Sequence, residues 1–230
     1  MAMTIPNTGM GADHSQTISR YLEAIYYIDA EGEKVRASRL ADWLSVSQPT
    51  ASATLHRMVR DRLVKISPAK VVTLTLRGSD AAGRIVRRHR IAERWLTDVL
   101  GLDWLQADEE AGKLEHAFSD EVADRLHRLI GEPTTCPHGN PIPGSKAKPR
   151  DERALSSMEP GERSRVRRVS EVAEREAPEL LSFLAQSGLV LGAEVEAVAK
   201  SLGAGTQTVR AGGREVAMSM EVADKIWVGN

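Results

Sequence analysis

Histidines and carboxylates recur at helical spacing in two stretches near the middle of the chain. His89 and Glu93 are four residues apart, which places both side chains on one face of a helix. In the second stretch Asp108 and His116 lie roughly along one helix face, with Glu115 beside it. If the two helices pack antiparallel, these five side chains can converge on one ion. Oxygen and imidazole donors without a thiolate favour Mn²⁺, Fe²⁺ or a neighbouring first-row ion over structural zinc.

The same side chains have two other interpretations. An isolated pair such as His89 and Glu93 is more often a surface ion pair than a metal site. A metal-dependent hydrolase would need an open coordination position and a nearby general base. The sequence identifies no dedicated base and contains no H-E-x-x-H segment. We therefore expect a protein that is not an enzyme, with the hydrolase kept as an alternative.

The distribution of charge points to a nucleic acid partner, although the formal net charge is only −1. Residues 15–90 contain 14 Lys and Arg against 7 Asp and Glu, whereas residues 91–230 contain 17 against 24. A basic first third is what a DNA-binding segment needs, although uneven charge is also common in soluble proteins.

The single cysteine, Cys136, excludes an internal disulfide and fits a reducing compartment. No apolar run approaches the roughly 20 residues that cross a bilayer, and residues 1–14 lack a signal-peptide pattern, so we expect a cytoplasmic protein with no membrane partner.

The basic segment has the pattern of a winged helix-turn-helix. Apolar residues recur at helical spacing over residues 16–30, and shorter helices are predicted over 37–44 and from residue 48 to about residue 61. Two short β-branched runs, residues 63–66 and 71–74, flank a turn and predict a hairpin. Three helices followed by a hairpin are typical of this DNA-binding fold.

The third helix is the candidate for reading DNA. Ser47 is well placed to cap its N-terminus, and Pro49 fits the first turn, where the backbone amides are unpaired in any case. In this fold that N-terminus points into the major groove. A capped surface helix in an ordinary three-helix bundle remains the alternative. The candidate DNA-contacting residues are Ser47, Gln48, Pro49, Thr50 and Ser52 at the start of the helix, Arg57 and Arg60 further along, and Lys70 on the wing.

The rest of the chain is predicted to be helical and then β-rich, which gives a mainly α fold with a C-terminal β domain. One helix is expected over residues 76–100 and another over 120–130. A helix between them is expected to begin after a cap at Asp103 or Asp108. Short apolar runs broken by glycines predict a small β-barrel with one helix near residues 178–187. The expected divisions are a flexible N-terminal tail (1–14), the winged helix-turn-helix (15–75), a helical metal-binding and dimerisation domain (76–144), a linker (145–152) and the β-barrel (153–230).

Five stretches carry specific motifs, and with them residues 16–144 resemble the diphtheria toxin repressor family, which includes iron-dependent and manganese-transport regulators. The resemblance implies an SH3-like C-terminal barrel, to which the chain is similar more loosely. It also implies Mn²⁺ or Fe²⁺ as cofactor, a homodimer, and double-stranded operator DNA as partner. The stretches are Tyr21-Leu22 through Ile25-Tyr26, Ser47-Gln48-Pro49-Thr50, Arg87-Arg88-His89-Arg90, Leu114-Glu115-His116, and Pro137-His138-Gly139-Asn140-Pro141-Ile142-Pro143-Gly144.

The resemblance also assigns roles to the candidate ligands. His89 and Glu93 match ligands of the family's ancillary site, and Asp108 stands where iron-sensing members have another histidine. Glu115 and His116 match the primary, regulatory site. Two further candidates, Glu171 and Glu174, come from a barrel segment that resembles one from which the family lends ligands; their alternative is an exposed acidic turn.

Two positions depart from the family pattern. Gly112 occupies the position of a Cys or Glu ligand, and Arg20 that of a Met or Asp ligand. Glu23, one turn after Arg20, matches a ligand of manganese-sensing members. Either the primary site is rebuilt around Glu23, His89, Glu115 and His116, or it is lost and sensing moves to His89, Glu93 and Asp108.

These observations predict a divalent-metal-activated repressor of metal homeostasis genes, in which the metal orders the DNA-binding heads of a dimer. The alternative is a winged-helix regulator that has lost metal dependence, with the charge of Arg20 in place of the ion. The apolar stripe Val122, Leu126 and Leu129 is either the dimer surface or internal core. Cys136 and His138 are either a donor pair or a buried thiol and a turn histidine.

Overall fold

The computed structural model describes residues 16–147, 151–177 and 179–229, except for the side chains of residues 174–176. The chain divides into two compact units. In the described part the first unit comprises residues 16–29 and 34–82, and the second comprises residues 30–33 and 83–229. The predicted N-terminal tail and residues 148–150 of the predicted linker lie outside the described residues.

The first unit is the predicted winged helix-turn-helix. Its helices are α1 (Gln16–Ala30), α2 (Ala37–Leu44) and α3 (Gln48–Arg60), and the wing is the antiparallel hairpin of β1 (Val64–Ile66) and β2 (Val72–Leu74). Its core contains the fully buried side chains of Leu22, Ile25, Leu40, Leu55 and Met58. Burial of these apolar faces is the main force that holds the short helices together, since helices of this length are marginal alone.

Three helices open the second unit. The long helix α4 (Leu76–Asp98) begins within the first unit and is followed by α5 (Trp104–Leu114) and α6 (Asp120–Leu129). Arg87 donates to Asp124 at 2.7 Å, and Arg88 donates to Asp120 at 2.7 Å, so ion pairs join α4 to α6.

The boundaries of these helices differ slightly from the predicted ones. Asp103 caps α5, because its carboxylate accepts from the Gln106 amide at 2.9 Å. The helix α5 ends at Leu114, whose carbonyl accepts from the amides of both Ala117 and Phe118. The prediction that α5 carries Glu115 and His116 is therefore wrong, since both residues lie in the turn that follows it.

The C-terminal β domain is a sheet with strand order β3-β8-β4-β5-β6-β7. Its strands are β3 (Arg153–Ala154), β4 (Arg163–Val169), β5 (Glu194–Ser201), β6 (Thr206–Ala211), β7 (Arg214–Ser219) and β8 (Ile226–Gly229). The expected helix is α8 (Glu179–Gln186), but two short helices, α7 (Glu171–Glu176) and α9 (Met220–Ala223), accompany it. The side chain of Ser170 caps the N-terminus of α7, and that of Ser219 caps the N-terminus of α9. Of the helices in the described ranges, none has the length and apolar content of a membrane span.

Candidate metal centre and DNA-contacting helix

The side chain of His89 lies at the centre of a cluster of carboxylates in the second unit. Its Nδ1 is 2.8 Å from Glu115 Oε2, and its Nε2 is 3.3 Å from Asp108 Oδ1 and 3.9 Å from Glu93 Oε1. Asp108 and Glu115 are seven residues apart, two helical turns, so α5 and the turn after it present both to the same ring. The structure thus brings Asp108 and Glu115 to the same ring, whereas the sequence pattern placed Asp108 on one helix face with His116.

The carboxylates change the acid–base behaviour of His89. Burial alone would lower the pKa of this imidazole, but hydrogen bonds to Asp108 and Glu115 and the charge of Glu93 raise it well above its usual value. The raised pKa favours the protonated form of His89 in the metal-free protein. A cation that takes this nitrogen must displace a proton, so its affinity should fall as the pH falls.

His116 lies next to the cluster rather than in its centre. Its Nε2 is 3.1 Å from Glu115 Oε1, and a quarter of its side chain is exposed. The turn that carries both residues is fixed by Arg88, whose Nε donates to the Glu115 carbonyl oxygen at 2.6 Å. Glu115 thus contacts His116 through Oε1 and His89 through Oε2.

A second group of donors adjoins the first through Glu93. The Oε1 atom of Glu93 is 3.1 Å from His138 Nδ1, and Cys136 provides a sulfur close to both. All three side chains are buried. Burial raises the pKa of the Cys136 thiol, and the negative charge of Glu93 raises it further. The sequence left open whether Cys136 and His138 form a donor pair or are a buried thiol and a turn histidine, and their positions in the chain gave no connection with Glu93.

A tight turn places Cys136 and His138 beside α4. The Cys136 amide donates to the Asn140 carbonyl at 2.9 Å, and the Gly139 amide donates to the Cys136 carbonyl at 3.0 Å. The turn is also attached to the barrel, because the Val169 amide donates to the His138 carbonyl and Asn140 Nδ2 donates to the Val169 carbonyl, each at 2.9 Å. The Pro-rich motif that carries the family resemblance therefore has a structural role.

Of the two barrel candidates, the structure describes the side chain of Glu171, which pairs with an arginine. Both carboxylate oxygens of Glu171 accept from Arg90, at 2.8 and 2.6 Å, and this pair is almost fully buried. A buried two-point ion pair thus uses both oxygens of Glu171 in this structure, and its role as a metal ligand stays a prediction from the sequence. The side chain of Glu174 lies outside the described residues.

The departures from the family pattern are visible in the structure. Gly112 in α5 has open space where a side chain would point, and Arg20 is exposed on α1. Glu23 lies on the same helix in the first unit, half-buried, and accepts from the Tyr27 hydroxyl at 3.2 Å. Glu23 belongs to the first unit.

The donors of the cluster fit a divalent cation. The side chains of Glu93 and Glu115 are only 2% and 3% exposed. In the described part of the chain their ion pairs are to His89, His116 and His138, and no lysine or arginine pairs with them. Buried carboxylates are costly unless a positive charge compensates them, and imidazole and carboxylate donors suit Mn²⁺ and Fe²⁺.

The candidate DNA-contacting residues lie on the outside of the first unit. Ser47 caps α3: its hydroxyl accepts from the Thr50 amide at 3.3 Å. Ser52 is half-buried, and Arg57 lies 3.9 Å from Asp61 in an exposed ion pair. The side chain of His56 is also exposed on this helix, one turn after Ser52. The exposed candidates are Ser47, Gln48, Pro49, Thr50, Arg57, Arg60 and Lys70.

Three family models match the chain in succession. They describe the iron dependent repressor N-terminal DNA binding domain over residues 13–72, the iron dependent repressor metal binding and dimerisation domain over residues 75–144, and the FeoA domain over residues 153–230. Together they agree with a DNA-binding unit, a helical metal-binding part and a C-terminal β domain.

Full-length relatives and solved structures agree with these models. The chain is 36% identical over 195 residues to the diphtheria toxin repressor of Corynebacterium efficiens, covering 81% of this chain and 84% of the relative. It is 33% identical over 223 residues to that of Corynebacterium diphtheriae, covering 93% and 97%. A manganese-dependent transcriptional repressor solved in complex with manganese superposes with a TM-score of 0.81 at 32% identity, covering 92% of this chain and 98% of that one. The manganese regulator SloR gives 0.75 at 26% identity, with coverage of 92% and 97%.

Proposed function

The chain belongs to the diphtheria toxin repressor family of metal-dependent transcriptional repressors, and from this membership we propose which of its residues bind the metal and the DNA. It is a metal-activated DNA-binding repressor and not an enzyme, with Mn²⁺ or Fe²⁺ as its cofactor. The hydrolase and the metal-independent regulator receive no support from its relatives. We infer that the protein acts in the cytoplasm, on operators of metal homeostasis genes.

We propose that His89, Glu93 and Asp108 hold the activating ion. The observation that carries this proposal is the position of the His89 ring among Glu93, Asp108 and Glu115. Among the described residues, the ion pairs of the buried Glu93 and Glu115 are to histidines rather than to arginine or lysine. A bound ion supplies the missing positive charge. Glu115 and His116 form an adjoining pair, and Glu23 stays a candidate from the sequence alone. A metal that binds one conformation more tightly shifts the population toward it, and we propose that this ordered state fixes the DNA-binding heads of a homodimer.

Metal-dependent DNA binding is the direct test. A duplex is selected from a randomised pool by the Mn²⁺-loaded protein, and its binding is followed by fluorescence anisotropy with Mn²⁺, with Fe²⁺ under anaerobic conditions, and with a chelator. We expect either metal to raise the affinity by at least about 10-fold, a coupling typical of allosteric proteins. Equal affinity after chelation would support the metal-independent regulator instead, and the failure to select any duplex would contradict DNA binding.

Gln48 offers a test of the recognition helix. Its side chain is exposed at the start of α3, and glutamine can make a two-point hydrogen bond with adenine in the major groove. We expect Gln48→Ala to weaken binding of the selected duplex by roughly 5- to 150-fold, since such contacts contribute about 1–3 kcal/mol. The control is Gln106→Ala, which removes an exposed glutamine from α5 in the second unit. Equal affinities for the two variants would place the reading surface elsewhere.

We propose that the exposed face of α6 is the dimer surface. Val122 and Leu129 are 41% and 72% exposed, whereas Leu126 packs inward against Ile91 and Ile142. The predicted stripe is therefore divided between a surface pair and the core. Val122 and Leu129 are seven residues apart, about two helical turns, so they lie on one face of α6. This exposed apolar face can pack against a second copy of the chain.

Charges on this face should separate the two copies. We expect the double variant Val122→Glu, Leu129→Glu to sediment as a monomer at concentrations where the wild type is a dimer, because burying unpaired carboxylates is costly. Leu202→Glu is the control, because Leu202 is 78% exposed and belongs to the C-terminal β domain rather than to α6. A dimeric double variant would exclude α6 from the interface.

A further inference from the structure

A carboxylate, a thiol and an imidazole meet inside the second unit. Glu93, Cys136 and His138 each offer one donor atom, and these atoms lie within 4.8 Å of one another. The three residues are 1%, 0% and 1% exposed, so the group is closed to bulk water. Such a set of donors, drawn from three different residue types, is the kind that binds first-row transition metals.

The group is held in place from several sides. The backbone of the turn is fixed by the hydrogen bonds of Cys136 and Gly139, and the carbonyl of His138 is bonded to β4. The indole of Trp104 meets the His138 ring edge-on, with 4.9 Å between centroids and an interplanar angle of 87°. A preorganised donor set loses less conformational entropy when an ion binds.

The chemistry of this group differs from that of the neighbouring cluster. Glu93 belongs to both, but its partners on one side are His89 and Asp108, and on the other they are Cys136 and His138. The first side offers only nitrogen and oxygen, which suit Mn²⁺. The second includes sulfur, which suits Zn²⁺, Co²⁺ and Fe²⁺ better than Mn²⁺.

We propose that Glu93, Cys136 and His138 form a second metal position, selective for a thiophilic divalent ion over Mn²⁺. The ion binds the thiolate of Cys136, and the thiol proton passes to solvent. Because the carboxylate of Glu93 is common to both groups, an ion on the sulfur side changes the donors available to an ion beside His89. The chain thereby gains a means to respond differently to thiophilic metals and to Mn²⁺. This inference goes beyond the proposed function, which requires only the His89 side.

Cobalt binding provides a specific readout, because Cys136 is the only cysteine of the chain. We expect Co²⁺ added to the chelator-treated protein to produce a thiolate-to-cobalt charge-transfer band in the near ultraviolet, saturating at one ion per chain. Zn²⁺ should abolish the band at stoichiometric amounts, whereas Mn²⁺ should need a large excess. The X-ray absorption spectrum of the wild type with one Zn²⁺ should contain one sulfur neighbour at about 2.3 Å.

Two variants test the individual ligands. Cys136→Ser should eliminate the band, and His138→Gln should weaken Co²⁺ binding by more than about 10-fold, a loss that even groups supporting a ligand produce. His127→Gln is the control, since His127 is a buried histidine whose Nε2 lies 2.8 Å from the Pro133 carbonyl. If Cys136→Ser does not fold, the absorption spectra of the wild type decide the question alone.

The outcomes separate this proposal from the function above. Co²⁺ binding without a charge-transfer band, or Zn²⁺ without a sulfur neighbour, would overturn the thiolate position even when Mn²⁺ activates DNA binding. A band without metal-dependent DNA binding would support the thiolate position and contradict the proposed function.

Discussion

Replacing His89 with alanine should abolish the response of the repressor to Mn²⁺ and Fe²⁺. The imidazole is the one group that contacts Asp108 through one nitrogen and Glu115 through the other. Its loss removes a ligand and leaves Glu93 and Glu115 with fewer partners in a buried environment. We expect the Mn²⁺ affinity to fall by more than about 100-fold, because even changes in groups that support metal ligands cost roughly 10- to 100-fold.

The measurement combines metal titration with DNA binding. Isothermal titration calorimetry gives the Mn²⁺ affinity of His89→Ala, and anisotropy gives its affinity for the selected duplex with and without metal. His127→Ala is the matched control, since it removes a buried histidine of the same unit that is bonded to a backbone carbonyl. Undiminished Mn²⁺ binding by the His89 variant, with thermal unfolding like that of the wild type, would remove this cluster from the proposed function.

The sequence predicted the local parts of the fold and the cluster well. The helix periods of α1 to α3, the Ser47 cap and the β-branched runs of the wing each depend on residues close together in the chain, so their patterns could be interpreted directly. The same holds for His89 and Glu93, whose spacing of four residues placed them on one face of α4. The structure confirms these elements, while the metal itself remains a proposal.

Contacts between distant residues could not be predicted. Glu93 and His138 are separated by 45 positions, and only the fold of the turn against α4 brings them to 3.1 Å. The ion pair between Arg90 and Glu171 could not be predicted for the same reason, because the two residues are 81 positions apart. The family resemblance identified this carboxylate in the barrel but could not reveal its ion pair with an arginine.

Gly112 and Arg20 stand where the family's primary metal site has ligands, and neither residue can serve as one. A glycine provides no ligand, and the space beside Gly112 is open. The dense contacts instead surround His89, where three carboxylates approach one ring. Of the two outcomes that the sequence left open, we propose sensing through His89, Glu93 and Asp108.

Gly139→Ala should produce a large loss of stability in the second unit. Gly139 has φ of +91°, a conformation that residues with a Cβ rarely adopt, and an added Cβ would lie 2.1 Å from the Arg167 carbonyl oxygen. The backbone conformation costs about 1–2 kcal/mol, and forcing a methyl group into a packed site costs about 1–3 kcal/mol more. We expect the free energy of unfolding to fall by roughly 2–5 kcal/mol.

Gly144→Ala isolates the steric part of this effect. Gly144 has φ of +77° in the same motif, yet no atom lies within 4 Å of its added Cβ. Its variant should lose only the backbone contribution, about 1–2 kcal/mol. Urea denaturation followed by circular dichroism would compare the two. A larger loss for Gly139→Ala would support the close packing of the turn against β4, which also holds His138 beside Glu93. Equal losses would mean that the turn can move away from β4, and the donors of Cys136 and His138 would then not be preorganised.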